Sequence, residues 1–271
     1  MTALRLALLD GAIVARRNLI KIRRVPEVLV FVLISPIMFV LLFSYVFGGS
    51  IQVPGLEAGY REFLIGGIFA QTVVFGATFT GAGLADDMQK GIIDRFRSLP
   101  MSRSAVLVGR TASDVVYNLL SLLIMSLTGL LVGWRIRTSV TDAIIGYVLL
   151  LVFAYAFSWI MAYIGLLVPS VEVINNASFI VIFPLTFIAN TFVPSDNLPT
   201  PLRVFAEWNP VSAVTLAARQ QFGNISPELG STSPAVWPLQ HPIAYTLLWA
   251  ALIIVIFVPL SVRQYKRSAA R

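Results

Sequence analysis

ADDMQKGIIDRFRSLPMSR, residues 85–103, is the stretch on which the reading of the whole chain turns. Charge and hydrophobe are mixed more densely here than elsewhere, and long apolar runs flank it on both sides. Met88, Ile92, Ile93, Phe96 and Leu99 recur at helical spacing, which leaves Lys90, Asp94 and Arg97 for the opposite side. Pro100 ends such a helix, and Ser102 is placed to cap the next one. Two readings stay open on this pattern. One is a short amphipathic helix between two membrane spans that offers a handle to another protein. The other is an ordinary cytoplasmic loop whose basic residues follow the positive-inside rule.

Outward from that stretch, the composition is that of a polytopic membrane protein. Of 271 residues, 57% are hydrophobic and 12% charged, with a mean hydropathy of +0.83. A large soluble core could raise the apolar fraction, but it needs no repeated runs of about 20 residues almost free of charge. The absence of cysteine excludes a disulfide framework, a thiolate metal site and a cysteine nucleophile. Residues 1–27 are amphipathic but carry no small-residue cleavage site after a short apolar core, so they read as mature protein. Leu4, Leu8, Ile13, Leu19 and Ile22 alternate there with Arg5, Arg16, Arg17, Lys21, Arg23 and Arg24, a pattern suited to a helix on an anionic cytoplasmic surface.

Six spans are expected, at about 28–47, 63–84, 115–132, 143–168, 177–192 and 242–260. Pro36 predicts a kink in the first. Gly66, Gly67, Gly76, Gly81 and Gly83 in the second permit either close helix contact or helix movement, and Gln71, Thr72, Thr78 and Thr80 belong against protein. Arg110 and Asp114, four residues apart, are placed to pair near an interface. Trp134 reads as an outer interfacial indole. Residues 171–176 read as a tight turn. Two short helices, about 202–208 and 211–222, are separated by Asn209-Pro210; they either cap the outer face or dip part-way into the bilayer. The NIS triplet at Asn224 is formally a glycosylation acceptor but reads as accidental in a chain expected to be bacterial.

Charge orients the chain. Six basic residues lie up to Arg24, five between residues 85 and 110 and four in the tail, while the outer segments hold the other five, Arg61, Arg135, Arg137, Arg203 and Arg219. Both termini are therefore expected in the cytoplasm. No GxxxxGK phosphate loop is present, and one histidine, His241, excludes multi-histidine metal sites and reads as an interface residue. The spans offer no nucleophile–base pair and no paired carboxylates. Asp114 and Glu172 both lie near predicted cytoplasmic ends, which argues against a proton relay. Energy for uphill transport would have to come from a partner.

QKGIIDRFRSLPMSR, residues 89–103, resembles the cytoplasmic signature of the type-2 (ABC-2) membrane subunits of ATP-binding-cassette exporters, and DRFRSLPMSR is similar to the daunorubicin and multidrug-resistance subgroup. WNPVSAVTLAARQQFG, residues 208–223, resembles that family's Asn-Pro signature before the last span, carried here by Asn209 and Pro210. The resemblance covers nearly the whole chain. It implies an all-α membrane permease without catalytic or metal-binding residues, paired with a second permease subunit, the same or homologous. Each would dock a cytoplasmic nucleotide-binding subunit that carries ATP and Mg. It implies a coupling helix at about 87–98, with Asp87, Lys90, Gly91, Ile92, Ile93, Asp94, Arg95, Phe96, Arg97, Leu99 and Pro100 at the ATPase contact. There Ile92, Ile93 and Phe96 would bury in a partner cleft. Arg16, Arg17, Arg23 and Arg24 of the N-terminal helix would help grip the ATPase. The substrate would pass between permease subunits near spans one, two and five, with Gln71, Phe75, Phe79, Phe183 and Phe187 as candidate contacts. Amphipathic drugs and lipids or glycolipids both suit that lining, and a non-transporting membrane scaffold that docks an ATPase is the rival class. The expected location is the bacterial cell membrane.

Overall fold

Periodicity of the apolar residues is helical along nearly the whole chain, and the computed structural model is built from helices accordingly. It describes residues 3–24, 26–47, 59–97, 101–102, 104–192, 195, 198–225 and 236–267, with backbone alone at 3–8, 21–23, 26–33, 47 and 97. No strand occurs among the described residues. In chain order the helices are α1 (Ala3–Arg24), α2 (Pro26–Leu42), α3 (Tyr60–Gly76), α4 (Thr78–Gln89), α5 (Ile92–Arg97) and α6 (Ala105–Val132). They continue with α7 (Val140–Gly165), α8 (Val171–Phe187), α9 (Thr200–Trp208), α10 (Pro210–Phe222), α11 (Trp237–Gln240) and α12 (Pro242–Arg267). Helix α2 runs through Pro36 and ends in a π-helical turn, Phe43–Phe47.

Four of these units are long and apolar enough to cross a membrane: α3 with α4 (Tyr60–Gln89), α6, α7 and α12. At 26 to 30 residues each they reach about 39–45 Å, beyond the roughly 30 Å of a hydrocarbon core. Helices α2 and α8 are apolar but shorter, 17 residues each. The α3–α4 unit is the central post: 83% of its apolar window is buried, against 22% for α12, whose flank faces outward. Its glycines make that centrality possible. A Cβ on Gly165 of α7 would come within 2.5 Å of the Gly81 carbonyl oxygen, so α4 and α7 touch backbone to backbone.

Local chemistry explains the helix limits. Ser139 caps α7 by accepting from the Asp142 amide, and Asp142 adds a carboxylate to the first turn. Ser170 caps α8 in the same way, accepting from the Val173 amide. Residues 171–176, expected to form a tight turn, are therefore the first turns of α8, with Glu172 against the helix dipole. Asn209 accepts from the Val211 amide, Pro210 opens α10, and Gly223 closes it in the left-handed conformation at φ 71°.

The stretch first expected as one helix over 87–98 is two. Helix α4 continues to Gln89, the amides of Lys90 and Gly91 close it on the carbonyls of Asp86 and Met88, and Gly91 turns the chain at φ 65° into α5. A left-handed residue cannot sit inside a helix, so the break falls at the one residue that adopts it without strain. Leu99 and Pro100 lie outside the described residues.

Candidate functional site

The α1–α5 end is assembled around Arg17. Its Nη2 donates to Asp87 Oδ2 of α4 at 2.8 Å, it donates to Asn18 Oδ1, and its guanidinium carbon lies 5.0 Å from the centre of the Phe96 ring of α5. Asn18 Nδ2 in turn donates to Ser113 Oγ of α6 at 3.2 Å. Close packing supports these bonds: a Cβ on Gly109 would meet the Gly11 carbonyl oxygen at 2.5 Å, so α1 lies directly on α6. Asp10 accepts from the Ser102 amide at 2.9 Å, fixing the chain where α6 begins. Helices α1, α4, α5 and α6 thus form one handle.

Two expected partner contacts point inward. Ile93 is 2% exposed and packs with Leu84, Val106, Leu107, Trp159 and Tyr265. Asp87 is 6% exposed and spent on Arg17. Neither can bury in another protein as placed, because the turn at Gly91 rolls the apolar side of α5 onto the bundle. Phe96 is half-buried against the same cluster, Ile92 is half-buried, and Asp94, Arg95 and Lys90 are exposed, Lys90 pairing with Asp86 at 2.7 Å. In α1, Arg16 and Arg24 are exposed, while Arg17 is drawn into the handle. The side chains of Arg23 and Arg97 lie outside the described residues.

Deeper in the bundle a cleft of about 340 Å³ opens between α2, the α3–α4 post, α6 and α8. All five candidate substrate contacts, Gln71, Phe75, Phe79, Phe183 and Phe187, line it. Their spacing is the reason. Gln71, Phe75 and Phe79 follow one another at four-residue steps, as do Phe183 and Phe187, so each set is a stripe on its helix and the two stripes face. Phe179, Phe183 and Phe187 stack in sequence, with centroids 4.9 and 4.0 Å apart, and the ladder continues to Phe192 and then Phe43, each at 4.8 Å. Beside the cleft, Asp114 accepts from Thr80 Oγ1 and lies 3.8 Å from Arg110 Nε, the pairing its spacing predicts.

The far end carries the features that local pattern misplaced. Arg219, counted among outer loop cations, is 2% exposed. Its Nε donates to the Phe63 carbonyl at 2.7 Å, and Nη1 and Nη2 donate to the carbonyls of Asn190 and Thr191 at 2.9 Å each. The guanidinium also lies 3.4 Å from the Phe63 ring centre. One side chain of α10 therefore ties down the start of α3 and the segment after α8. Gly66 and Gly67 make the room: a Cβ on the first would come within 2.7 Å of Arg219 Cγ, and on the second within 2.1 Å of the Thr191 oxygen. Asn209, besides capping α10, donates to the Leu185 carbonyl at 2.7 Å, so the Asn-Pro turn docks on α8.

Trp134, read as an interfacial indole, is fully buried; its Nε1 donates to Asn224 Oδ1 at 2.6 Å and its ring meets Phe69 and Phe222 edge-on. Asn224 is buried with it, and its side-chain amide donates to the Arg135 carbonyl. Buried Glu62 pairs with Arg137 at 2.8 Å. His241 is exposed against the Trp237 ring.

Residues 12–222 match the family described as ABC-2 type transporter. Across 254 residues the chain is 30% identical to a daunorubicin resistance ABC transporter permease, DrrB1, of Streptomyces coeruleorubidus, covering 94% of this chain and 85% of that protein. It is 22% identical over 238 residues to DrrC of Mycobacterium tuberculosis, a permease named for doxorubicin resistance, covering 88% and 81%. A chain named as a transport permease, ycf38, of Cyanophora paradoxa is 22% identical over 202 residues, covering 74% and 69%.

Proposed function

The chain belongs to the ABC-2 type transporter family, and from that premise we propose that it is the membrane permease subunit of an ATP-driven exporter of amphipathic, drug-like compounds. ATP, with Mg, is bound and hydrolysed on a separate cytoplasmic subunit. Two permease chains, identical or homologous, frame the route. In this reading α2 and α8 complete six spans, both termini are cytoplasmic, the membrane is the bacterial plasma membrane, and α9 with α10 caps the outer face.

The single observation that carries the reading is the handle around Arg17. Helix α5 is held to α4 and α1 by one side chain, and α4 runs without a loop into the helix that lines the cleft. A push on α5 is therefore delivered to the cleft wall through packed helix. Docking falls to the rim of the handle: the exposed Asp94 and Arg95 with the open sides of half-buried Ile92 and Phe96, and exposed Arg16 and Arg24 of α1. Closure of the ATPase pair would move this rim and bias the spans between inward-open and outward-open packing.

The test is reconstitution with the ATPase subunit. Substrate-stimulated ATP hydrolysis and flux into proteoliposomes are expected from the intact chain. Phe96→Ala, which removes the ring that Arg17 and the inner cluster hold, should insert normally yet lose ATPase capture or flux as α5 loosens from the handle. Lys90→Ala should differ little, a rim charge being worth about 0–1 kcal/mol. Stable assembly with no flux for any amphipath would instead identify a scaffold. Wild-type behaviour of Phe96→Ala would remove the coupling role from α5.

A further inference from the structure

Five arginines sit toward the end of the bundle opposite the handle, and three of them are paired or caged by protein. Arg137 and Arg203 hold the carboxylates of Glu62 and Glu207, and Arg219 is enclosed by three carbonyls. Arg61 and Arg135 have no carboxylate among the described residues. Both are drawn instead to one place, the carboxyl-terminal end of α6. Arg61 Nη1 donates to the Val132 carbonyl at 3.3 Å, and Arg135 Nη1 donates to the carbonyls of Leu130 and Trp134 at 2.7 and 2.8 Å. Each guanidinium thus spends one nitrogen on protein, and its Nε and Nη2 donate to nothing among the described residues. A helix end carries about half a negative charge, which two guanidiniums more than offset. Two like charges at one helix end repel each other, and an anion that accepts from both relieves the repulsion.

Along α6 from this charge lies an uncovered apolar wall. Leu123, Leu127 and Leu131 follow at four-residue steps on the outward side of the helix, and Leu131, in the turn that the arginines hold, is 87% exposed. Tyr45, in the π-helical turn that ends α2, is exposed as well, and the Arg61 guanidinium carbon lies 5.1 Å from its ring centre. Helix α6 has 28 residues and is about 42 Å long, so its end reaches headgroup depth beyond a hydrocarbon core of roughly 30 Å. Unspent guanidinium donors at headgroup depth, above leucines at acyl-chain depth, match the profile of a phospholipid. A second protein span would cover the leucines and leave both arginines without an anion.

We propose that this corner, where α2, α3 and α6 meet, binds a glycerophospholipid, its phosphate on Arg61 and Arg135 and an acyl chain along Leu131, Leu127 and Leu123. The bound lipid joins three helices at their shared end. The proposal stands apart from the exporter reading, and its test uses the permease alone.

The chain has no cysteine, so an introduced one reports a single place. Leu123→Cys, about 12 Å from Leu131 along the helix axis, carries a bimane fluorophore at mid-chain depth. The full-length permease is placed in nanodiscs of digalactosyl diacylglycerol, a phosphate-free lipid, and dibrominated phosphatidylglycerol is added in steps. Bromine quenches only at close range, so quenching beyond the mole fraction of brominated lipid measures enrichment at the site. Leu252→Cys, exposed on the flank of α12, is the unselective reference.

Quenching at Leu123→Cys should exceed that at Leu252→Cys and correspond to about a tenfold preference for the phospholipid. Dibrominated diacylglycerol, with the same chains and no phosphate, should show no preference at either place. Arg61→Gln and Arg135→Gln should each lower the preference about three- to fivefold, as for charge-assisted bonds open to solvent. Arg263→Gln, exposed at the opposite end, should leave it unchanged. Arg135 is exposed, so its variant stays readable even if Arg61→Gln fails to insert. Excess inorganic phosphate should not restore the fluorescence. Equal quenching at the two positions, equal enrichment of brominated diacylglycerol, or a preference that survives both arginine changes overturns the proposal. Release of quenching by inorganic phosphate overturns it too, since that result identifies an ion site without lipid specificity.

Discussion

Removing Arg17 and removing Asp87 should not cost the same, although the two form one ion pair. The contact is 2.8 Å, but its ends differ: the Arg17 side chain is 38% exposed and that of Asp87 8%. Arg17→Ala strands a carboxylate among apolar side chains. Breaking a fully buried pair costs about 3–5 kcal/mol, and discounting for the solvated guanidinium end leaves roughly 2–3 kcal/mol. Loss of the cation over the Phe96 ring adds about 0.5 kcal/mol. Asp87→Ala strands only an arginine that can turn to water, at about 1 kcal/mol. Hydrogen–deuterium exchange on the permease in nanodiscs reads the difference as local opening of α1 and α5. Exchange should speed by about 70- to 400-fold in Arg17→Ala, from about 2.5–3.5 kcal/mol, and by about fivefold in Asp87→Ala. The double variant should match Arg17→Ala less the stranding term, giving a coupling energy of about 1–2 kcal/mol. Equal effects of the two single variants, or a coupling energy near zero, would refute the picture of Arg17 as the pin of the handle.

Other perturbations separate the remaining elements. Arg219→Gln removes most of a cage of three carbonyls and should cost about 3–5 kcal/mol, read as lower thermal stability and protease entry between α8 and α10. Gly67→Ala forces a Cβ onto a backbone oxygen and should cost about 1–3 kcal/mol or more, where Gly91→Ala should act through backbone strain at the α4–α5 turn alone, at about 1–2 kcal/mol; thermal denaturation of both ranks them. Cysteines placed at Ser139 and at Ser268 and treated with an impermeant thiol reagent on intact cells should react at the first position only, and labelling at Ser268 in sealed cells would reverse the proposed orientation.

What could be read locally was read from spacing and caps. The runs that became α6, α7 and α12 are continuous in the sequence, and Asn209-Pro210 with Gly223 brackets α10 by a cap and a stop that need no tertiary information. The failures share a cause. Met88, Ile93 and Phe96 do lie on one apolar surface, as their spacing says, but they reach it from two helices around Gly91, and the surface belongs to this chain's own core. Periodicity reports which side is apolar and is silent on what covers it. Arg219 shows the same limit more sharply. Nothing in AARQQFG separates it from a solvated arginine, because the information lies about 150 residues upstream, in the missing side chains of Gly66 and Gly67, and in two carbonyls freed where α8 ends.

The cleft lies between these cases. Each of its stripes is legible, since Gln71, Phe75 and Phe79 on one segment and Phe183 and Phe187 on another keep helical phase. That the stripes face across a cavity follows only once α8 starts at Ser170. Had residues 171–176 formed a turn, α8 would have lost Asn175 from the cleft wall and two turns of its hold on α4. The cap at Ser170, worth about 1 kcal/mol in isolation, thus helps decide which helices enclose the cavity. A local bond of that size gains its consequence from the long-range packing it permits, and this is where reading by segments gives way to reading by contacts.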